Sequence, residues 1–191
     1  LRQRAIESSL RFASTFPEHV ETPGVLTRTT KQLFDLGDRD RAEAVAQSVL
    51  ALGPRADAGQ QLVAWTVLAH TYFDSSRFVE AERAYGEIVA RTPAGDAQHA
   101  EAIERQAAAV YRQAETRQAA GDHAGAVQDF LRVAAVAPAS PRAATGCWAT
   151  SPGTWWNGGF ALRRIRMRAA MINDAARRRQ SAHGPHGSRK P

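Results

Sequence analysis

Cysteine is nearly absent from this chain, since Cys147 is the single one among 191 residues. One cysteine can form neither a disulfide within the chain nor the paired thiolates of a structural zinc site. The sequence also has no run of about eighteen apolar residues, so it predicts no transmembrane helix. It lacks the GxxxxGK[ST] phosphate loop, the HExxH metal pair, the GxSxG turn and the CxxC pair. We therefore expect no enzymatic activity, no cofactor and no bound metal.

Acidic residues are scarce in one part of the chain only. Residues 1–141 hold 15 Lys and Arg against 18 Asp and Glu, a net charge of −3. Residues 142–191 hold 10 Lys and Arg against one Asp, a net charge of +9. The overall charge of +6 therefore comes from the C-terminal part. A basic chain suggests nucleic-acid binding, but the mildly acidic part gives that interpretation no support.

What the sequence does contain is a helix-pair pattern that returns three times. Its strongest copy reads VAWTVLAHTYFDSSRFVEAERAYGEIVARTP, from Val63 to Pro93. Apolar residues recur there at helical spacing on both sides of a short polar turn, at residues 74–76. Because proline cannot continue a helix, the second helix is expected to end near Thr92. Such a hairpin cannot cover its apolar faces alone, so neighbouring hairpins must stack against it.

A weaker copy precedes this unit, from Leu26 to Pro54. It has Thr29 and Thr30 where an apolar and a small residue are usual, and Thr22 is predicted to cap its first helix. Residues 1–17 are expected to be the second helix of an earlier, truncated unit.

A third copy follows, with one long first helix predicted over residues 96–120 and a second helix that ends at Pro138. Its first helix has Gln113 and Arg117 at positions where apolar residues are expected. The charged residues Glu101, Glu104, Glu115, Arg105 and Arg112 fall at helical spacing and are interpreted as solvated ion pairs.

The second unit resembles the tetratricopeptide repeat, a helical hairpin with a characteristic set of large and small residues. The matching positions are Trp65, Leu68, Ala69, Tyr72, Ala81, Tyr85 and Pro93. The resemblance implies an all-α, right-handed α-solenoid of about three such hairpins over residues 1–142. It leaves residues 143–191 as a separate basic tail.

The repeats are longer than usual for that family. The small alanines Ala42, Ala81 and Ala126 are 39 and 45 residues apart, against a usual period of about 34. Elongated units of this kind are similar to those of bacterial envelope proteins of the outer-membrane assembly and cell-division coordinator types. The resemblance implies a periplasmic or outer-membrane-associated protein of a Gram-negative bacterium, and the sequence is equally compatible with the cytoplasm.

The resemblance also implies a binding site, because the first helices of stacked hairpins line a concave groove where partners dock. The family's inner positions correspond here to Lys31, Phe34, Asp35, Thr66, His70, Phe73, Asp74, Tyr111, Glu115 and Gln118. An aromatic residue followed by a carboxylate occurs twice, which suits a helix or extended peptide that carries basic residues. The alternative is that both phenylalanines pack against the neighbouring unit. The histidines His70 and His99 are expected to lie on the surface.

Three interpretations of the tail remain open. It is a basic arm that binds nucleic acid or an anionic membrane through residues 160–179, a disordered extension, or out-of-frame reading of a GC-rich gene. The sequence therefore predicts a non-enzymatic scaffold that binds a protein partner in its groove, with the basic arm as the alternative.

Overall fold

The part of the chain described by this computed structural model, residues 2–137, is built from α-helices. They are α1 (Arg2–Thr15), α2 (Thr22–Asp35), α3 (Arg39–Ala51), α4 (Ala58–Asp74), α5 (Phe78–Arg91), α6 (Ala97–Ala119) and α7 (His123–Val136), with a short 3₁₀ helix at Gly53–Arg55. No strand occurs in this range. The all-α prediction is confirmed, whereas the right-handed solenoid and the boundary at residue 142 stay predictions.

The first compact unit extends to Ala109 and contains α1 to α5 and the beginning of α6. Each helix from α1 to α5 packs against the next one, and α2 also packs against α4. The hairpin α2–α3 therefore lies beside the hairpin α4–α5, and their first helices touch. The second unit begins at Val110 and contains the end of α6 and α7.

The same turn closes all three hairpins. Gly37, Ser76 and Gly121 have φ angles of 80°, 61° and 83°, in the left-handed region. In each turn this residue donates its N–H to the carbonyl three residues back, at 3.0–3.1 Å. The next residue donates to the carbonyl five residues back, at 2.8–3.0 Å. This pair of bonds is the Schellman motif, which satisfies carbonyls at a helix end.

Ser76 is the one residue with a side chain among these three left-handed positions. A Cβ in this conformation costs about 1 kcal/mol, which glycine avoids. Replacing Ser76 by glycine should therefore raise the free energy of unfolding by roughly 0.5–1 kcal/mol, as measured by urea denaturation. The reverse change at the equivalent position, Gly37→Ser, should lower it by a similar amount, and a loss of stability in Ser76→Gly would contradict this account of the turn.

Burial follows the 39- and 45-residue offsets. Ala42, Ala81 and Ala126 are each fully buried, as expected where two helices approach closely. Further buried triplets occur at the same offsets: Thr30, Ala69 and Ala114; Ala46, Tyr85 and Phe130; Val49, Ile88 and Val133. The three hairpins thus bury these four positions alike, whichever side chains occupy them.

The two threonines that depart from the family pattern are buried without an unsatisfied hydroxyl. Thr29 donates its hydroxyl to the Val25 carbonyl at 2.8 Å, and Thr30 donates to the Leu26 carbonyl at 2.9 Å. Each is at most 1% exposed. A bond to the preceding turn lets threonine fill an apolar position in a helix.

The predicted cap at Thr22 is wrong. Helix α2 begins at Thr22, its N-cap is Glu21, and no side chain caps it. The Thr22 side chain is buried and donates instead to the Phe16 carbonyl at 2.6 Å, which ties α2 to the preceding loop.

The third hairpin replaces an apolar pair by an ion pair. Arg117 occupies the position of Leu33 and Tyr72, and its Nε lies 3.2 Å from Oδ2 of Asp129, which is 2% exposed. The Asp129 Oδ1 accepts a hydrogen bond from Arg132 at 2.8 Å. Arginine and aspartate therefore appear together at two positions that are apolar in the other hairpins, which explains the departure noted at Arg117.

Other boundaries agree with the sequence. Helix α5 ends at Arg91, with Thr92 as its C-cap, and α6 is one long helix over Ala97–Ala119. Between residues 2 and 137, none of the helices combines the length and apolar composition needed to cross a membrane. The expectations for residues 143–191, including the basic arm at 160–179, lie outside the described residues.

Candidate functional site

The predicted groove residues lie on the first helix of each hairpin. We call the seven on α2 and α4 the α2–α4 surface: Lys31, Phe34, Asp35, Thr66, His70, Phe73 and Asp74. Contact between α2 and α4 brings these residues to neighbouring helices of one unit. Tyr111, Glu115 and Gln118 lie on α6 in the second unit.

Phe34 is half-buried, and its ring already makes a cation–π contact with an arginine of this chain. The Arg39 guanidinium carbon lies 3.9 Å from the centre of the Phe34 ring, and Nη1 donates to the Phe34 carbonyl at 2.7 Å. Its Nη2 lies 3.4 Å from Oδ2 of Asp74. Arg39 therefore occupies the place that the sequence suggested for a partner's basic residue, next to an aromatic ring and a carboxylate.

Phe73 is also half-buried, but its neighbours differ. Its ring packs at 5.5 Å from that of Phe78 and at 6.5 Å from that of Tyr85, both on α5 of the same hairpin. Phe78 is the repeat equivalent of Arg39, so one first-helix phenylalanine is covered by a cation and the other by a second ring. Neither phenylalanine is a freely exposed aromatic, and Phe34 contacts His70 of the adjacent hairpin at 6.0 Å.

His70 is the most constrained member of the α2–α4 surface. Its Nδ1 lies 3.1 Å from the Tyr85 hydroxyl, and the two rings pack edge to face at 5.7 Å. Burial lowers the His70 pKa below 6.5, the nearby Arg105 lowers it further, and Glu101 and Asp74 act in the opposite direction. The expectation that His70 lies on the surface holds only in part, because the ring is half-buried against Phe34 of α2 and Tyr85 of α5.

His99 is likewise half-buried rather than fully exposed. Its Nδ1 lies 3.2 Å from the Thr92 hydroxyl and 3.0 Å from the Thr92 carbonyl. The contact joins the beginning of α6 to the end of α5, a structural role.

Three members of the α2–α4 surface show how much of it is open. Lys31 and Asp35 are exposed one turn apart on α2. Thr66 is half-buried and donates its hydroxyl to the Leu62 carbonyl at 2.8 Å. The charged ends of Lys31 and Asp35 are therefore the open polar groups of this part of the surface, while Thr66 contributes shape.

In the second unit, the predicted residues are partly engaged. The Tyr111 ring packs at 5.3 Å from that of Phe130, and Glu115 accepts from Arg112 at 3.0 Å. The Gln118 carbonyl accepts the turn bond from Gly121 at 3.1 Å. This ion pair of Arg112 with Glu115 was expected from their spacing. So was the pair of Arg105 with Glu101 in the first unit, at 2.9 Å.

Three further residues shape the α2–α4 surface and were not assigned to it from the sequence: Arg39, Tyr85 and Arg105. Burial raises the Tyr85 pKa to about 12, and Arg105 opposes that rise through its charge and a hydrogen bond. Arg39 follows Phe34 across a tight turn, a spacing that in retrospect is the one available signal. Among residues 2–137, no cluster of three or more His, Cys, Asp or Glu is arranged to hold a metal ion.

Comparison with known proteins adds little. The chain matches no family model and no curated protein. Among solved structures it is similar to the crystal structure of BtubC (BKLC) from P. vanneervenii, with 16% sequence identity and a TM-score of 0.38, over 100% of this chain and 92% of that chain. A likeness at this level carries no inference about this chain.

Proposed function

We propose that this chain is a non-enzymatic scaffold of the tetratricopeptide type that binds a protein or peptide in the groove lined by its first helices. The proposal includes a location in the envelope of a Gram-negative bacterium, on the strength of the elongated repeats alone. Binding requires no cofactor and no metal in this proposal.

One observation carries the proposal: the recurrence of one hairpin geometry. Three hairpins have the same turn hydrogen bonds and bury the same positions at offsets of 39 and 45 residues. Repeated hairpins of this kind present a row of first-helix side chains, and rows of this kind are binding surfaces in repeat proteins. The contact between α2 and α4 supports the same reading within the first unit.

The open groups of the α2–α4 surface suggest the chemistry of the partner. Asp74 is paired with Arg39 at 3.4 Å, whereas the exposed Asp35 offers a second carboxylate to an incoming basic residue. Phe34 and Phe73 offer partial apolar area beside it. An amphipathic helix or extended peptide with basic residues fits these groups.

Site-specific photo-crosslinking tests the surface directly. A photoreactive residue at Lys31 should crosslink a discrete partner in a Gram-negative host, whereas the same residue at the exposed Arg83 of second helix α5 should not. Equal crosslinking from both positions, or none from Lys31, would count against the groove.

A charge reversal then measures what the groove contributes. Asp35→Lys should weaken the affinity for the crosslinked partner by about tenfold, since like charges at an interface oppose binding. The matched control is Asp40→Lys, which reverses an exposed carboxylate on second helix α3 of the same hairpin and should leave the affinity unchanged. Phe73→Ala should also weaken binding, but its contacts with α5 make a loss of stability part of that result.

Ionic strength separates this proposal from the alternative of a basic arm. Binding through residues 160–179 to nucleic acid or an anionic membrane should fall steeply with added salt. Groove binding should fall less steeply with salt, since few charges are involved, and should survive deletion of residues 143–191. Loss of binding on that deletion, with a steep salt slope, would favour the basic arm.

A further inference from the structure

His70, on α4, has neighbours from four other helices of the first unit. Its ring contacts Phe34 of α2 and Tyr85 of α5. The charged groups that face it are Asp74 of its own helix, Arg39 of α3, and Glu101 and Arg105 of α6. A change in the charge of His70 therefore acts on every helix that forms this part of the groove.

The direction of the hydrogen bond between His70 and Tyr85 depends on the His70 tautomer, and the surrounding groups favour one direction. Burial raises the Tyr85 pKa to about 12, so the hydroxyl keeps its proton at neutral pH. Arg105 also interacts with this hydroxyl, and a guanidinium can only donate. With Arg105 beside the hydroxyl, the arrangement that sets no two donors against each other is the one in which Tyr85 donates to His70 Nδ1, at 3.1 Å. His70 is then neutral, with its proton on Nε2.

Protonation of His70 reverses that arrangement. Nδ1 would carry a proton and could no longer accept from Tyr85, so two donors would face one hydroxyl oxygen. The new positive charge would also lie among Arg39 and Arg105 in a half-buried setting. Asp74 and Glu101 favour the charged ring, but Asp74 is paired with Arg39 and Glu101 with Arg105.

We propose that His70 is a pH-sensitive switch that joins α4 to α5 and α6 when neutral and releases this contact when protonated in mildly acidic conditions. Because His70 belongs to the α2–α4 surface, the switch would also change the charge and shape of the groove. That consequence for partner binding rests on the proposed function, whereas the switch itself can be tested in the absence of any partner.

The sign of the pH effect follows from linkage. The folded-state pKa of His70 is lowered, so the unfolded chain binds the proton more readily. The stabilisation is complete above pH 6.5 and is lost as the pH falls from 6.5 through the folded-state pKa. Each unit of lowering reduces the folded-to-unfolded ratio about tenfold once the pH lies below both values.

The test compares His70→Gln with His99→Gln in the full chain. Glutamine at 70 can accept from Tyr85 but does not titrate, and His99 is a second half-buried histidine of the same unit. Thermal unfolding at intervals from pH 8 to pH 5 should show a smaller loss of melting temperature in His70→Gln than in the natural chain. His99→Gln should keep the full loss.

NMR titration of the histidine rings provides the site-specific readout. The His70 ring should titrate with a midpoint below 6.5, and Tyr85→Phe, which removes the hydroxyl, should raise that midpoint. A His70 midpoint at or above 6.5, or identical pH dependence in His70→Gln and the natural chain, would overturn the switch. Neither result would contradict the proposed groove function, which the crosslinking at Lys31 tests separately.

Discussion

Leu33→Ala should lower the free energy of unfolding by about 2–5 kcal/mol, because it removes a buried side chain and leaves a cavity. Leu33 is 1% exposed and belongs to the core of the first unit. The loss should appear as a lower urea midpoint in far-UV circular dichroism, with the slope of the transition unchanged.

The same helix end offers a matched control for that change. Leu36 is 48% exposed and follows α2 by one residue. Leu36→Ala removes the same atoms from a position near water and should change stability by less than about 0.5 kcal/mol. Equal effects at the two leucines would mean that α2 presents a different face to its neighbours.

Much of the helical framework could be predicted because each helix shows its buried face in its own sequence. The stripe through Leu68 and Tyr72, the small Ala81 and the stop at Pro93 are local signals, and the structure agrees with them. Local signals also located the turn near Ser76. That a serine there would adopt the left-handed conformation was not predictable, since serine gives no conformational preference of the kind that Gly37 gives.

The candidate surface was less predictable, because its character depends on residues far apart in the sequence. The polar position of His70 on α4 suggested exposure, yet Phe34 and Tyr85 come from other helices and enclose it. In the same way, Arg39 of α3 packs on the Phe34 ring and forms an ion pair with Asp74, so it alters the surroundings of both groove residues. Periodicity along a single helix cannot report such pairs.

Polar residues at apolar positions were recognised in the sequence but not explained by it. Thr29 is accommodated by a bond within its own helix, which is a local effect. Arg117 needs Asp129 on the next helix, and their pairing became evident only when the repeat positions were compared in three dimensions. A departure such as Arg117 is therefore interpretable only together with its partner Asp129.

The close approach of the hairpin helices leads to a second large expected effect. Ala81 lies near the start of α5 and is fully buried. Its equivalents in the other two hairpins, Ala42 and Ala126, are also fully buried alanines. Ala81→Leu adds three carbon atoms at a contact that has no room for them. We expect a loss of about 1–3 kcal/mol from overpacking, measured by urea denaturation.

Ala90→Leu is the control for Ala81→Leu, because Ala90 lies on the same helix and is exposed. The two variants share residue type, helix and added volume, so helix propensity cancels between them. Ala90→Leu should leave stability within about 0.5 kcal/mol of the natural chain. If Ala81→Leu were equally harmless, the small residue shared by the three hairpins would not mark a close helix contact. Stacked hairpins with a groove between them would then lack their main packing support.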